Sequence, residues 1–120
     1  MATPSEDKGS AAQMADTTAP LVLISGGTGF LGKALVYLLL EQSQLQLLLL
    51  VRRKRGRDVD SRVAYYKKSM CFQSLPRSAW ERVTFVEGGF DETGALKSEQ
   101  LPTYASRVAG IIHSAANVRF

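Results

Sequence analysis

The stretch Leu21–Leu40, LVLISGGTGFLGKALVYLLL, decides the fold of this chain. Leu21 to Ile24 are four consecutive aliphatics that run into Ser25 and then glycine. An unbroken aliphatic run ahead of a glycine turn reads as a strand buried on both faces, the pattern of a parallel sheet. After the turn, Leu31, Ala34, Leu35 and Leu38 lie at helical spacing, and Leu39 widens the same face. The predicted helix ends near Glu41-Gln42-Ser43.

The glycines admit two registers. Gly27, Gly29 and Gly32 form G-x-G-x-x-G, and Gly26, Gly29 and Gly32 form G-x-x-G-x-x-G. The physical logic is shared. One glycine permits a tight turn off the strand, Gly29 lets a pyrophosphate approach the main chain, and Gly32 lets helix and strand pack closely. The phosphate would then meet free N–H groups at the positive end of the helix dipole. The motif counts because it follows a buried strand and opens a helix. A ligand-free glycine turn is the bland alternative. A mononucleotide P-loop is disfavoured, because Gly32-Lys33 is followed by Ala34 and not by Ser or Thr.

Working outward, Leu45–Val51 reads as a second buried strand and 57–70 as a helix carrying Val63, Tyr66 and Met70 on one face. Arg82–Gly88 alternates as a third strand, an irregular or helical stretch follows, and Val108–Ala116 is a fourth strand. Strands alternating with helices predict an α/β fold with a parallel sheet. Right-handed crossovers order the strands 3-2-1-4, the N-terminal part of a doubly wound Rossmann sheet, truncated before its fifth and sixth strands. Residues 1–19 lack periodicity and read as a disordered leader, leaving 20–120 as a partial NAD(P)-binding domain.

Composition agrees with one ordinary globular domain of 120 residues, 45% hydrophobic and 22% charged. Cys71 is the single cysteine, which excludes an internal disulfide; it is expected to pack as a small hydrophobe in a reducing, intracellular compartment. The N-terminus shows no signal peptide, and polar residues interrupt the most apolar region, so this chain is expected to be soluble. Charge is uneven. Residues 52–68 hold eight Lys and Arg against two Asp, a local +6, and the remainder holds seven against nine, or −2.

That basic run stands where a dinucleotide site meets the adenosine ribose. An acid about 20 residues past the glycines accepts hydrogen bonds from the 2′-hydroxyl of NAD. Here Arg52 stands 20 residues after Gly32, and the first acid is Asp58. A guanidinium pairs bidentately with a 2′-phosphate that a carboxylate would repel. Arg52, with Lys54 and Arg55 as helpers, therefore points to NADPH. A solvated basic loop is the alternative. A nucleic-acid surface is not expected, because it would spread basic and aromatic residues over a face.

Three segments together, SGGTGFLGKALVYLLL, LLLLVRRKRG and IIHSAANVRF, resemble the alcohol-forming fatty acyl-CoA reductases, extended short-chain dehydrogenases/reductases. The resemblance covers about residues 20–120. It implies reduction of a long-chain acyl-CoA by NADPH to a primary alcohol in two hydride steps. It favours the Gly26, Gly29, Gly32 register, with Ser25 where Thr is usual. Cofactor contacts carry over to Gly26, Gly27, Thr28, Gly29, Phe30, Leu31 and Gly32, to Arg52, and to His113, Ala115 and Ala116. On residue type alone His113 reads as a packed strand-end histidine. The resemblance also implies association with endoplasmic reticulum or peroxisome membranes, through a tail that this sequence does not contain. One departure is local: Gly88-Gly89-Phe90-Asp91 stands where the family has Gly-Asp, its Asp reaching adenine, so either Asp91 shifts into that role or the contact is lost.

The second departure concerns chemistry. The superfamily uses a tyrosine acid and a lysine four positions later, and this chain has no Tyr-x-x-x-Lys. Tyr37, Tyr65, Tyr66 and Tyr104 are followed at that spacing by Glu41, Ser69, Met70 and Val108. The Tyr65-Tyr66-Lys67-Lys68 cluster has the wrong spacing and reads as helix surface. The expectation is a reductase fragment with no catalytic residues and no metal site. The alternatives are a non-catalytic nucleotide-binding module, or another extended reductase or epimerase acting on a sugar nucleotide or steroid.

Overall fold

A computed structural model of the chain describes residues 19–53 and 56–114. Strand β1 (Leu21–Ser25) leads through the glycine turn into helix α1 (Phe30–Gln42), and strand β2 (Gln46–Val51) into helix α2 (Val59–Lys67). Two 3-10 turns, Met70–Phe72 and Arg77–Arg82, precede strand β3 (Val83–Glu87). A small hairpin of β4 (Gly89–Phe90) and β5 (Leu96–Lys97), then two more 3-10 turns, lead to β6 (Val108–His113). The four long strands form one parallel sheet in the order β3-β2-β1-β6, which is 3-2-1-4 counted along that sheet.

The leucine-rich β2 lies inside the sheet, and Leu47 to Val51 are all buried. Both faces of such a strand are taken out of water, so side chains of either parity must be apolar. On one face Ile24, Leu47 and Leu49 pack with Val36 and Leu40 of α1 and with Tyr66, Phe72 and Ala79. On the other, Leu21, Leu23, Leu48, Leu50 and Val86 are covered by Leu96, Leu101 and Tyr104. The connection between β3 and β6 is thus hairpin and 3-10 turns, with no α-helix.

Helix α1 is rotated from the expected orientation. Gly32, Val36 and Leu40 are its buried residues, while Leu31, Ala34 and Leu38 are exposed. The cause is steric. A Cβ on Gly32 would lie 2.0 Å from the Gly26 carbonyl oxygen, so the glycine is where helix and turn touch. Val36 and Leu40, four and eight residues on, then face the sheet. The C-terminus of α1 is held by Arg82, whose guanidinium donates to the carbonyls of Ser43 at 2.8 Å and Leu40 at 2.5 Å. A cation there satisfies carbonyls that have no partner within the helix.

Helix α2 is shorter than expected. Asp58 caps it by accepting from the Ser61 N–H at 2.8 Å, and it ends at Lys67. Met70 therefore leaves the face assigned to it and is 86% exposed, in a separate 3-10 turn. Cys71 follows it into solvent and is not the packed hydrophobe expected. Tyr66 corrects the opposite way. It is buried with its ring 5.0 Å from Phe72 and 6.0 Å from Phe85, while Tyr65, Lys67 and Lys68 of the same cluster are exposed. Residues 1–18 of the leader, Lys54, Arg55, Ala115 and Ala116 lie outside the described residues. No helix among the described residues is long and apolar enough to cross a membrane.

Candidate functional site

A parallel sheet sends all its strands out at one edge, where β1, β2, β3 and β6 deliver Ser25, Arg52, Gly88 and His113. The glycine turn is built first. Gly26 has φ 74°, the left-handed region open to glycine, and its carbonyl accepts from the Gly29 N–H at 3.2 Å. Gly27 is not in that region. A Cβ on Gly29 would meet nothing nearer than the Gly26 oxygen at 3.6 Å, so the main chain there is open to approach. Turn, open approach and tight helix contact thus fall on Gly26, Gly29 and Gly32 in that order. Gly29 is also the N-cap of α1 and supplies no side-chain hydrogen bond, so no side chain of the cap covers the first-turn N–H groups. Thr28 is half-buried in the turn, and Phe30 and Leu31 project into solvent.

Beside the turn, β6 places His113 in register with Ser25. The buried Ser25 hydroxyl lies 2.5 Å from His113 Nδ1. The Ser25 carbonyl accepts from both the N–H and the hydroxyl of Ser114, at 3.0 and 2.9 Å. The His113 ring packs edge-on to Phe90 with centroids 5.0 Å apart. Its imidazole is oriented from two sides.

At the ends of β2 and β3, an open concavity of about 300 Å³ is lined by Arg52, Arg53, Glu87, Gly88, Gly89, Phe90, Asp91 and Lys97. Its charges are not equivalent. Arg53 Nε pairs with Glu87 at 3.2 Å, and Lys97 lies 3.9 Å from Asp91. Among the described residues, Arg52 is the lining cation whose guanidinium has no acidic partner. Asp91 is hydrogen-bonded into the hairpin. One carboxylate oxygen accepts from the Thr93 N–H, the Thr93 hydroxyl and the Ala95 N–H, and the other faces Lys97. The Thr93 hydroxyl, followed by the Ala95 N–H, holds the carboxyl below its usual range.

The structure therefore brings together the glycine turn, His113 and Arg52 along one edge. The sequence reading missed Ser25 as the partner of His113 and Phe90 as its packing neighbour. The doublet Gly88-Gly89 at the end of the third strand was the available signal, since two glycines there announce something packed on the main chain.

Residues 24–120 match the NAD-binding family described as male sterility protein. The chain belongs to that family. Its curated relatives include fatty acyl-CoA reductase wat of Drosophila melanogaster, 30% identical over 104 residues, and fatty acyl-CoA reductase 2 of Bos taurus, 30% identical over 105. Each match covers 82% of this chain and 20% of the relative, so this male sterility family chain spans about a fifth of their length. The resemblance to the extended reductases thus holds at the level of the family. Among solved structures it resembles the terminal R domain of the myxalamid biosynthetic pathway, with a TM-score of 0.64 at 20% identity over 92% of this chain and 32% of that one. It also resembles the reductase domain of a non-ribosomal peptide synthetase from Mycobacterium tuberculosis, with a TM-score of 0.62 at 27% identity over 90% of this chain and 28% of that one. The first of these speaks for the fold alone.

Proposed function

We propose that residues 20–120 are the cofactor-binding part of an NADPH-dependent fatty acyl-CoA reductase that converts a long-chain acyl-CoA to a primary alcohol. The family, and the names of the relatives at 30% identity, support the reaction class. The observation that carries the cofactor is Arg52, which has no acidic partner among the described residues where Arg53 and Lys97 both have one. The chain's own groups fit a dinucleotide: an open main chain at Gly29, N–H groups at the start of a 13-residue helix, and a guanidinium beyond β2 with no acidic partner among the described residues. When bound, the cofactor supplies hydride. Gly26 to Gly32 would seat its pyrophosphate, Arg52 its 2′-phosphate, and the oriented His113 would flank it at the end of β6. Lys54, Arg55, Ala115 and Ala116 are proposed as further contacts. The chain by itself is proposed to be inactive, because it contains no Tyr-x-x-x-Lys to protonate the developing alkoxide.

Fluorescence titration with NADPH and NADH tests the cofactor. Replacing Arg52 with Ala should weaken NADPH by about 1.5–3 kcal/mol, the scale of a hydrogen bond to a charged group. NADH affinity should hold. Equal losses for both would mean that Arg52 supports the loop and does not read the phosphate.

A further inference from the structure

At each of the two glycines after β3, a different neighbour occupies the space a Cβ would take. Neither Gly88 nor Gly89 has a positive φ, so main-chain conformation does not demand glycine at either. A Cβ on Gly88 would lie 2.6 Å from Ser98 Cβ, 2.7 Å from the Lys97 carbonyl oxygen and 2.8 Å from Leu50 Cδ1. That glycine closes the hairpin onto the sheet. A Cβ on Gly89 would instead lie 2.5 Å from Arg52 Cδ and 2.6 Å from Arg52 Cγ, with Arg52 Cβ next at 3.9 Å. The three nearest atoms at position 89 all belong to one side chain, and that side chain is the lining cation without an acidic partner among the described residues.

Arg52 is thus held at two points. Its carbonyl accepts from the Arg62 guanidinium, which ties its main chain to α2. Its methylene stem lies across the bare main chain of Gly89, on the floor of the concavity. A long exposed arginine normally samples many rotamers and loses that freedom when it captures an anion. One already laid against a floor loses less, and preorganisation of this kind raises affinity without adding a contact.

We infer that Gly89 is a specificity-determining position: its missing side chain seats the Arg52 stem and so presents the guanidinium to the 2′-phosphate of the cofactor. The inference rests on the NADPH reading above and deepens it. Gly89 is a positioning residue that acts through Arg52. An alanine there must displace Cγ and Cδ of Arg52, which lie closer than van der Waals contact allows.

The test compares the unaltered protein with Gly89→Ala, Arg52→Ala and the double variant. NADPH, NADH, adenosine 2′,5′-bisphosphate and AMP are titrated against each. Gly89→Ala should lower affinity for the two 2′-phosphorylated ligands by roughly 3- to 10-fold, the scale of one side chain's ordering cost, and leave NADH and AMP unchanged. In the Arg52→Ala background the same substitution should change none of the four, because the atoms it would displace are gone. If Gly89→Ala alone fails to fold, the double variant should still fold for that reason. Failure of both to fold overturns the inference, as does an unchanged NADPH-to-NADH ratio in Gly89→Ala or a parallel loss of all four ligands. These outcomes leave the cofactor reading standing so long as the unaltered protein prefers NADPH. Equal binding of NADPH and NADH by the unaltered protein overturns the cofactor reading, and the inference with it.

Discussion

Tyr66 shows how one residue can be placed by packing against its own polarity. Its ring completes an aromatic cluster with Phe72, Trp80 and Phe85, yet its hydroxyl is buried without a hydrogen-bond partner among the described residues. An unpartnered buried hydroxyl costs about 1–3 kcal/mol of desolvation. Tyr66→Phe keeps the ring and removes that cost, so the variant should be more stable by roughly 1 kcal/mol in urea denaturation. Burial also pushes the phenol above its ordinary range. In the unfolded chain the tyrosine ionises near pH 10. The folded state holds it neutral, so both states are neutral below that pH and the unfolded state gains by ionising above it. The stability deficit of the unaltered protein relative to Tyr66→Phe should therefore widen as pH rises past about 10. A constant difference from pH 8 to 11 would show that the phenol finds water or a partner.

At the scale of the element, the turn between β1 and α1 separates two demands that sequence alone runs together. Gly32 is needed for packing, and Gly29 is where the phosphate is proposed to approach. Alanine at a helical position gains roughly 1 kcal/mol of propensity over glycine. At Gly32 that gain is outweighed, because the new Cβ would sit 2.0 Å from the Gly26 oxygen and 2.7 Å from Gly27 Cα, and main chain cannot swing aside as a side chain can. Gly32→Ala should destabilise the protein by about 1–3 kcal/mol, the scale of overpacking. Gly29→Val should behave oppositely. Gly29 has φ −79° and ψ 175°, an extended conformation that a β-branched residue adopts readily, and its Cβ has room. Its melting temperature should stay near that of the unaltered protein while NADPH affinity collapses. Calorimetry and circular dichroism on the same samples separate the two. Retained affinity in Gly29→Val would place the phosphate elsewhere.

For the molecule as a whole, the described surface leaves apolar side chains in water. Ile111 on the edge strand β6 is 66% exposed, and Phe30 and Leu31 of α1 are 94% and 67% exposed. Edge strands with apolar side chains invite association. The same stretch of molecule carries the proposed cofactor edge and contains no Tyr-x-x-x-Lys. Purified residues 1–120 should therefore bind NADPH weakly and consume none when a long-chain acyl-CoA is added, followed by nicotinamide absorbance. General acid catalysis contributes ~10²–10⁴-fold, and loss of substrate positioning adds to the deficit. Turnover abolished by Tyr65→Phe would overturn this and assign the acid to the α2 surface. Binding with no turnover in any longer form of the protein would favour a non-catalytic module.

The sequence by itself determined the parallel sheet and its order, because runs such as Leu21–Ile24 and Leu47–Val51 can be satisfied only where both faces are dry, and the intervening lengths leave few topologies. It also marked the glycine turn and Arg52, since a missing side chain and a charge are properties of single residues. Facing was decided by tertiary structure. The stripe Leu31, Ala34, Leu38 satisfies helical spacing as well as Gly32, Val36, Leu40 does, and the Gly32–Gly26 contact selected the second. Partners were decided there too. Arg53 with Glu87, Ser25 with His113 and Asp91 with its own hairpin each join groups whose meeting depends on strand register or a local turn. That Arg52 is the lining cation without an acidic partner among the described residues, and that its stem is the neighbour nearest Gly89, follows from these pairings and from no residue type alone.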